Sequence, residues 1–105
     1  MKLYCFGESG HSYKAALALQ FAKIDWDPVF VDFFNGEARS EQYRSQINEM
    51  GEVPVLVDGD TKLTQSGVIQ TYLYNKTGKH GGSNKTEELE VLRWTLWDNH
   101  KFSSV

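Results

Sequence analysis

Hydrophobic positions along the chain fall into two rhythms: compact runs suited to strands, and wider spacings suited to helices. Leu3, Tyr4, Cys5 and Phe6 form a short run of strand formers, closed by Gly7 and the polar stretch Glu8 to His11, and predict a buried first strand. From Ser12, the expected N-cap, Ala15, Ala16, Leu19 and Ala22 recur at helical spacing, and Leu17 and Phe21 widen the apolar face. Asp27-Pro28 then breaks the chain before Val29, Phe30, Val31, Phe33 and Phe34, whose β-branched and aromatic character predicts a second strand and hence a βαβ unit. The polar segment between Gly36 and Gly51 predicts a short helix, with Ser40 as cap, Glu41 at the positive end and Tyr43 and Ile47 four apart.

Val53-Pro54-Val55-Leu56-Val57 reads as a strand headed by proline, and Asp58-Gly59-Asp60 turns it into a second short strand around Lys62 to Thr64. Ser66 heads a helix whose positions Val68, Ile69, Tyr72 and Leu73 share a face, and Gly78 is placed to end it. Lys79-His80-Gly81-Gly82-Ser83 has the composition of a linker, so a domain boundary is expected there. A last helix is predicted from Thr86 to about His100, with Glu87 and Glu88 near its start and His100 and Lys101 near its end, matching the macrodipole. The order is β-α-β-α-β-β-α plus one helix. This α/β order over residues 1–82 resembles a thioredoxin-like domain, with the start of a helical domain expected over residues 83–105.

The 105 residues, 40% hydrophobic and 24% charged, suffice for one packed core and leave no room for a second complete domain. With 14 acidic against 11 basic side chains the formal net charge is -3, without a block of like charges, which disfavours nucleic acid and anionic membrane as partners. No apolar stretch suits a signal peptide or a membrane span, so a cytoplasmic location is expected. Cys5 is the single cysteine, which excludes an internal disulfide, a Cys-x-x-Cys pair and a zinc quartet; in an apolar run it reads as a buried small hydrophobe. His80 and His100 stand in a linker and near a helix end, and no metal site is expected.

The most informative residues are Val53-Pro54 at the head of a strand and Gln65-Ser66 at the start of the next helix. A cis peptide before Pro54 would turn the Val53 N–H and C=O outward, where an extended peptide could pair with them. Ser66 and the free N–H groups of its helix make a small site for a carboxylate, and Gln65 beside it suits an amino group. Taken singly, Pro54 reads as an ordinary edge-strand proline and Ser66 as a cap; one hairpin apart, they read as a ligand site.

In these motifs the chain resembles the glutathione transferase family, whose glutathione-binding half carries a Val-Pro before a strand and a Glu or Gln followed by Ser at the next helix. The resemblance runs from Met1 to about Gly82. It implies that Val53 pairs with the cysteinyl part of glutathione, that Pro54 is cis, and that Gln65 with Ser66 holds the γ-glutamyl end. It departs from the family where Asn48 is followed by Glu49 instead of proline. Arg39 and Arg44 are the nearest basic residues in the segment that usually supplies the contact to the glycine carboxylate.

A transferase must also hold the glutathione thiol as thiolate, and a hydroxyl donating to sulfur near the positive end of the first helix lowers the thiol pKa. Ser9 stands where serine-type members of the family carry that hydroxyl, with Ser12 as the alternative. Tyr4 lies in the strand, and His11 beside two serines lacks a locatable acidic partner for hydrolase chemistry. In the last helix Leu89, Leu92 and Leu96 form one stripe, and Val91, Trp94 and Trp97 carry apolar surface beyond a single face. A homodimer, or a further helical domain, is expected to cover it. Two functions follow from the resemblance: conjugation of the glutathione thiol to an electrophile, or a non-catalytic glutathione-binding or protein-interaction module of the same fold.

Overall fold

The computed structural model describes residues 1–78 and 81–102. Four strands, β1 (Lys2–Cys5), β2 (Asp27–Phe30), β3 (Val55–Asp58) and β4 (Thr61–Thr64), form one sheet in the order β2-β1-β3-β4. β1 pairs parallel with β2 and antiparallel with β3, and β3 pairs antiparallel with β4. The helices are α1 (Gly10–Phe21), α2 (Glu41–Gln46), α3 (Ser66–Thr77) and α4 (Lys85–Trp97), with a 3₁₀ turn at Glu37–Arg39 and a π-helical turn at Asp98–Phe102. This is the thioredoxin-like β-α-β-α-β-β-α order plus one helix.

The strand period of two divides the core. Leu3 faces one side of the sheet and joins Ala15, Leu19, Leu56, Ile69 and Leu73, which tie β1 and β3 to α1 and α3. On the other side Val31, Ala38 and Tyr43 form a smaller cluster with Tyr4, Ile47 and Val53 packed against it. The six-residue α2 therefore covers a face of its own. Ser40 caps it, accepting from Tyr43 N–H, and Gly78 ends α3 at φ 70°.

Several boundaries differ from those the sequence predicts, β1 ending at Cys5 before Phe6 and β3 starting only at Val55 among them. The N-cap of α1 is Ser9, whose Oγ accepts from Ser12 N–H at 3.2 Å, and Ser12 lies inside the helix, buried. β2 starts at Asp27 and includes Pro28, because Asp27 N–H donates to Met1 O and β2 is an edge strand, where a missing donor is tolerated. Phe33 N–H then turns back to Val31 O, and Phe30, Phe33 and Phe34 gather round Phe6 with ring centroids 4.7–6.2 Å away. α4 begins one residue earlier than predicted, with Asn84 as cap, and gives way at Asp98 to the wider turn.

Lys79 and His80 of the predicted linker lie outside the described residues. Gly82, at φ 96°, meets α4 so closely that a Cβ would stand 2.9 Å from Glu88 N. On α4, Leu89, Leu92, Trp94, Leu96 and Trp97 are exposed. No helix among the described residues is long and apolar enough to cross a membrane.

Tyr43 is 4% exposed and donates its hydroxyl to Glu52 O at 2.8 Å. Burial, with the Glu37 charge adding to it, pushes its pKa up to about 12. An unfolded phenol titrates near 10, so between these values the folded chain keeps a proton that the unfolded chain releases. Stability is therefore expected to fall as pH rises through that window, by at most about 1.4 kcal/mol per pH unit. Urea midpoints measured at intervals above pH 9 check this: Tyr43→Phe is expected to show a shallower fall, and superimposable pH profiles would exclude the effect.

Candidate functional site

The segment before β3, the start of α3, the first turn of α1 and the turn after α4 meet at a cleft of about 170 Å³. Val53, Pro54, Gln65 and Ser66, separated in sequence by a hairpin, all line it, together with His11 and Asn99. The Val53–Pro54 peptide is cis. Val53 precedes the first ladder residue of β3, and among the described residues its N–H and C=O enter no backbone hydrogen bond. Glu52 O, one residue earlier, accepts from Tyr43 Oη at 2.8 Å and Asn48 Nδ2 at 3.0 Å, so α2 and the buried Asn48 fix the approach to Val53.

Gln65 is the N-cap of α3 and has φ 73°, a value seldom adopted by a residue with a Cβ. Its neighbour Ser66 is the first residue of α3 and is 1% exposed. Two side chains, Asn99 and His11, converge on that hydroxyl. Asn99 Oδ1 is 2.7 Å from Ser66 Oγ and 3.0 Å from Gly67 N, and His11 Nδ1 is 2.9 Å from Ser66 Oγ. A backbone N–H can only donate, so the Asn99 atom facing Gly67 is its oxygen and Ser66 donates to it. Ser66 Oγ is then an acceptor for His11 Nδ1–H. Burial, followed by the Lys14 charge, lowers the His11 pKa and favours the neutral ring. In this arrangement His11 donates to Ser66, the reverse of the role a general base would take.

Ser9 and Ser12 stand at the start of α1 and do not line the cleft, although His11 between them does. Ser9, partly exposed, accepts from Ser12 N–H; Ser12, buried, accepts from Phe6 N–H at 3.3 Å. Arg39 and Arg44 do not line the cleft either, and Arg44 Nε donates to Glu49 O. Cys5 packs against the larger core cluster, and burial raises its pKa, keeping the thiol protonated. His100, expected from sequence near the end of the last helix, lies beyond α4 and lines the same cleft. Asn99 and the Tyr43–Asn48 support of Glu52 carried no local signal, because each acts through a contact between elements.

Residues 1–75 match the family described as glutathione S-transferase, N-terminal domain. This chain belongs to the glutathione S-transferase family. It is 42% identical over 109 aligned residues to glutathione S-transferase F14 of Arabidopsis thaliana, covering all of this chain and 42% of that protein. Among solved structures, a possible glutathione S-transferase from Rhodopseudomonas palustris superposes with a TM-score of 0.85 at 32% identity, over 94% of this chain and 44% of that one. A glutathione transferase homologue from Sulfitobacter, solved with bound glutathione, superposes with a TM-score of 0.82 at 28% identity, over 94% of this chain and 48% of that one. This glutathione S-transferase chain thus spans less than half the length of each of these relatives. The matched family region ends inside α3, so α4 and the turn after it lie beyond that region.

Proposed function

We propose that the cleft binds glutathione and that the chain is the glutathione-binding part of a transferase, moving the glutathione sulfur to an electrophilic carbon. The reading rests on one juxtaposition: the Val53 backbone, without a backbone hydrogen bond among the described residues, beside the Ser66 end of α3, in a chain of this family. Val53 N–H and C=O pair with the cysteinyl unit, and Gln65 and Ser66 hold the γ-glutamyl end. Residues 1–82 form this binding domain and residues 83–105 begin a helical one. Ser9, at the positive end of α1, donates its hydroxyl to the thiolate, which attacks the electrophile as its leaving group departs. The exposed leucines and tryptophans of α4 are covered by a second copy of the chain or by further helices.

The test is calorimetric titration with glutathione, followed by a conjugation assay with a reactive aromatic electrophile. Ser66→Ala is expected to weaken glutathione binding about tenfold, the loss of one hydrogen bond to a charged group. Equal affinity in the two chains would remove Ser66 from the site. Binding without turnover would favour the non-catalytic module.

A further inference from the structure

We infer that the turn after α4 carries a built-in competitor for the ligand: Asn99 occupies the carboxylate position at the start of α3, and glutathione must displace it to bind. The inference rests on the glutathione reading of the cleft and adds a regulatory contact to it.

The contacts of Asn99 are those a carboxylate would make. Its Oδ1 accepts from the Ser66 hydroxyl and the Gly67 N–H together, at 2.7 and 3.0 Å, and its Nδ2 reaches Gln65 Oε1 at 3.4 Å. One carboxamide therefore engages both groups assigned to the γ-glutamyl end, its oxygen in place of the carboxylate and its nitrogen in place of the amino group. α4 also approaches closely here, since a Cβ at Gly67 would stand 3.3 Å from Thr95 Cγ2. The adjacent Asp98 pairs with Lys14 of α1, which holds the turn against the body of the domain. The open volume that remains, about 170 Å³, is below the roughly 300 Å³ at which small-molecule pockets begin. Withdrawal of Asn99 enlarges the cleft at the end where the γ-glutamyl group belongs.

A neutral amide is a weaker guest than an anion at a helix N-terminus, so the contact is displaceable by a carboxylate ligand. Its strength sets how much of the intrinsic affinity appears, because a binding site only fractionally open shows a proportionally weaker apparent affinity. A positioning role for Asn99 toward glutathione would have the opposite consequence on its removal.

The experiment compares the full chain with Asn99→Ala and Asn99→Asp by glutathione titration, and follows Gly67 amide hydrogen exchange by nuclear magnetic resonance. Asn99→Ala is expected to bind glutathione about tenfold more tightly, because the contacts to Ser66, Gly67 and Gln65 no longer have to be broken, with faster exchange at Gly67 in the free chain. Asn99→Asp, a closer carboxylate mimic, is expected to bind it more weakly than the parent. Unchanged or weaker binding by Asn99→Ala overturns the inference. If no chain binds glutathione, the proposed function fails. The contact is then judged on the Gly67 amide: faster exchange in Asn99→Ala, slowed again by acetate, supports a self-occupied anion site, and unaltered exchange overturns it.

Discussion

Ser9→Ala is expected to lower conjugation turnover about a hundredfold, the scale of losing one preorganised donor to developing negative charge. Glutathione affinity is expected to stay within about twofold, because the binding contacts assigned to Val53, Gln65 and Ser66 are untouched. Ser9 is partly exposed, and its Oγ uses one lone pair on Ser12 N–H, an arrangement that leaves its proton to point outward. Ser12 is 3% exposed and binds Phe6 N–H, so Ser12→Ala is expected to act through folding more than through turnover. Ser9→Ala also removes a cap worth about 1 kcal/mol, so turnover is compared well below the unfolding midpoint of each variant. Full activity in Ser9→Ala alongside a folded but inactive Ser12→Ala would transfer the thiol role to Ser12.

The largest loss of stability is expected at Leu56. It is fully buried, pairs in register with Leu3 across β1 and β3, and belongs to the cluster that joins the sheet to α1 and α3. Leu56→Ala removes apolar burial and leaves a cavity that neighbours on two layers fill only partly, which costs about 2–5 kcal/mol. Domains of this size are stable by about 5–15 kcal/mol, so a sizeable share is lost in one substitution. Urea denaturation reads it as a lower midpoint at similar slope. A shift equivalent to less than about 1 kcal/mol would mean that the core repacks around the gap.

What was legible in the sequence was whatever is encoded locally. Ser40 before a polar helical turn, Gly78 after an apolar face and Asp58-Gly59-Asp60 between two runs each specify their element through backbone chemistry within a few residues, and each stands where it was predicted. The resemblance was read from Val53-Pro54 and Gln65-Ser66, and these residues do meet at one cleft. α1 starts one turn before the cap that its pattern predicts because its first turn, Gly10-His11-Ser12, carries no apolar residue; periodicity begins only at Ala15, which points to Ser12 instead of Ser9. β2 starts earlier than its pattern predicts because Pro28 reads locally as a breaker, whereas its edge position makes its missing donor harmless. Asn99 and His11 could not be connected to Ser66 by pattern, since 33 and 55 residues separate them and only the packing of α1 and α4 against α3 brings them near.

The segment that presents the Val53 backbone is moored to a helix of six residues, through Tyr43 and Asn48 holding the Glu52 carbonyl. So short a helix has no independent stability and persists because Tyr43 is seated against Val31 and Ala38 on the underside of the sheet. One wall of the proposed binding cleft is therefore no firmer than that small underside cluster. Residues such as Ala38, which do not line the cleft, bear on how well that wall holds its shape, so drift at these positions would remould the proposed site from beneath without altering any residue that lines it.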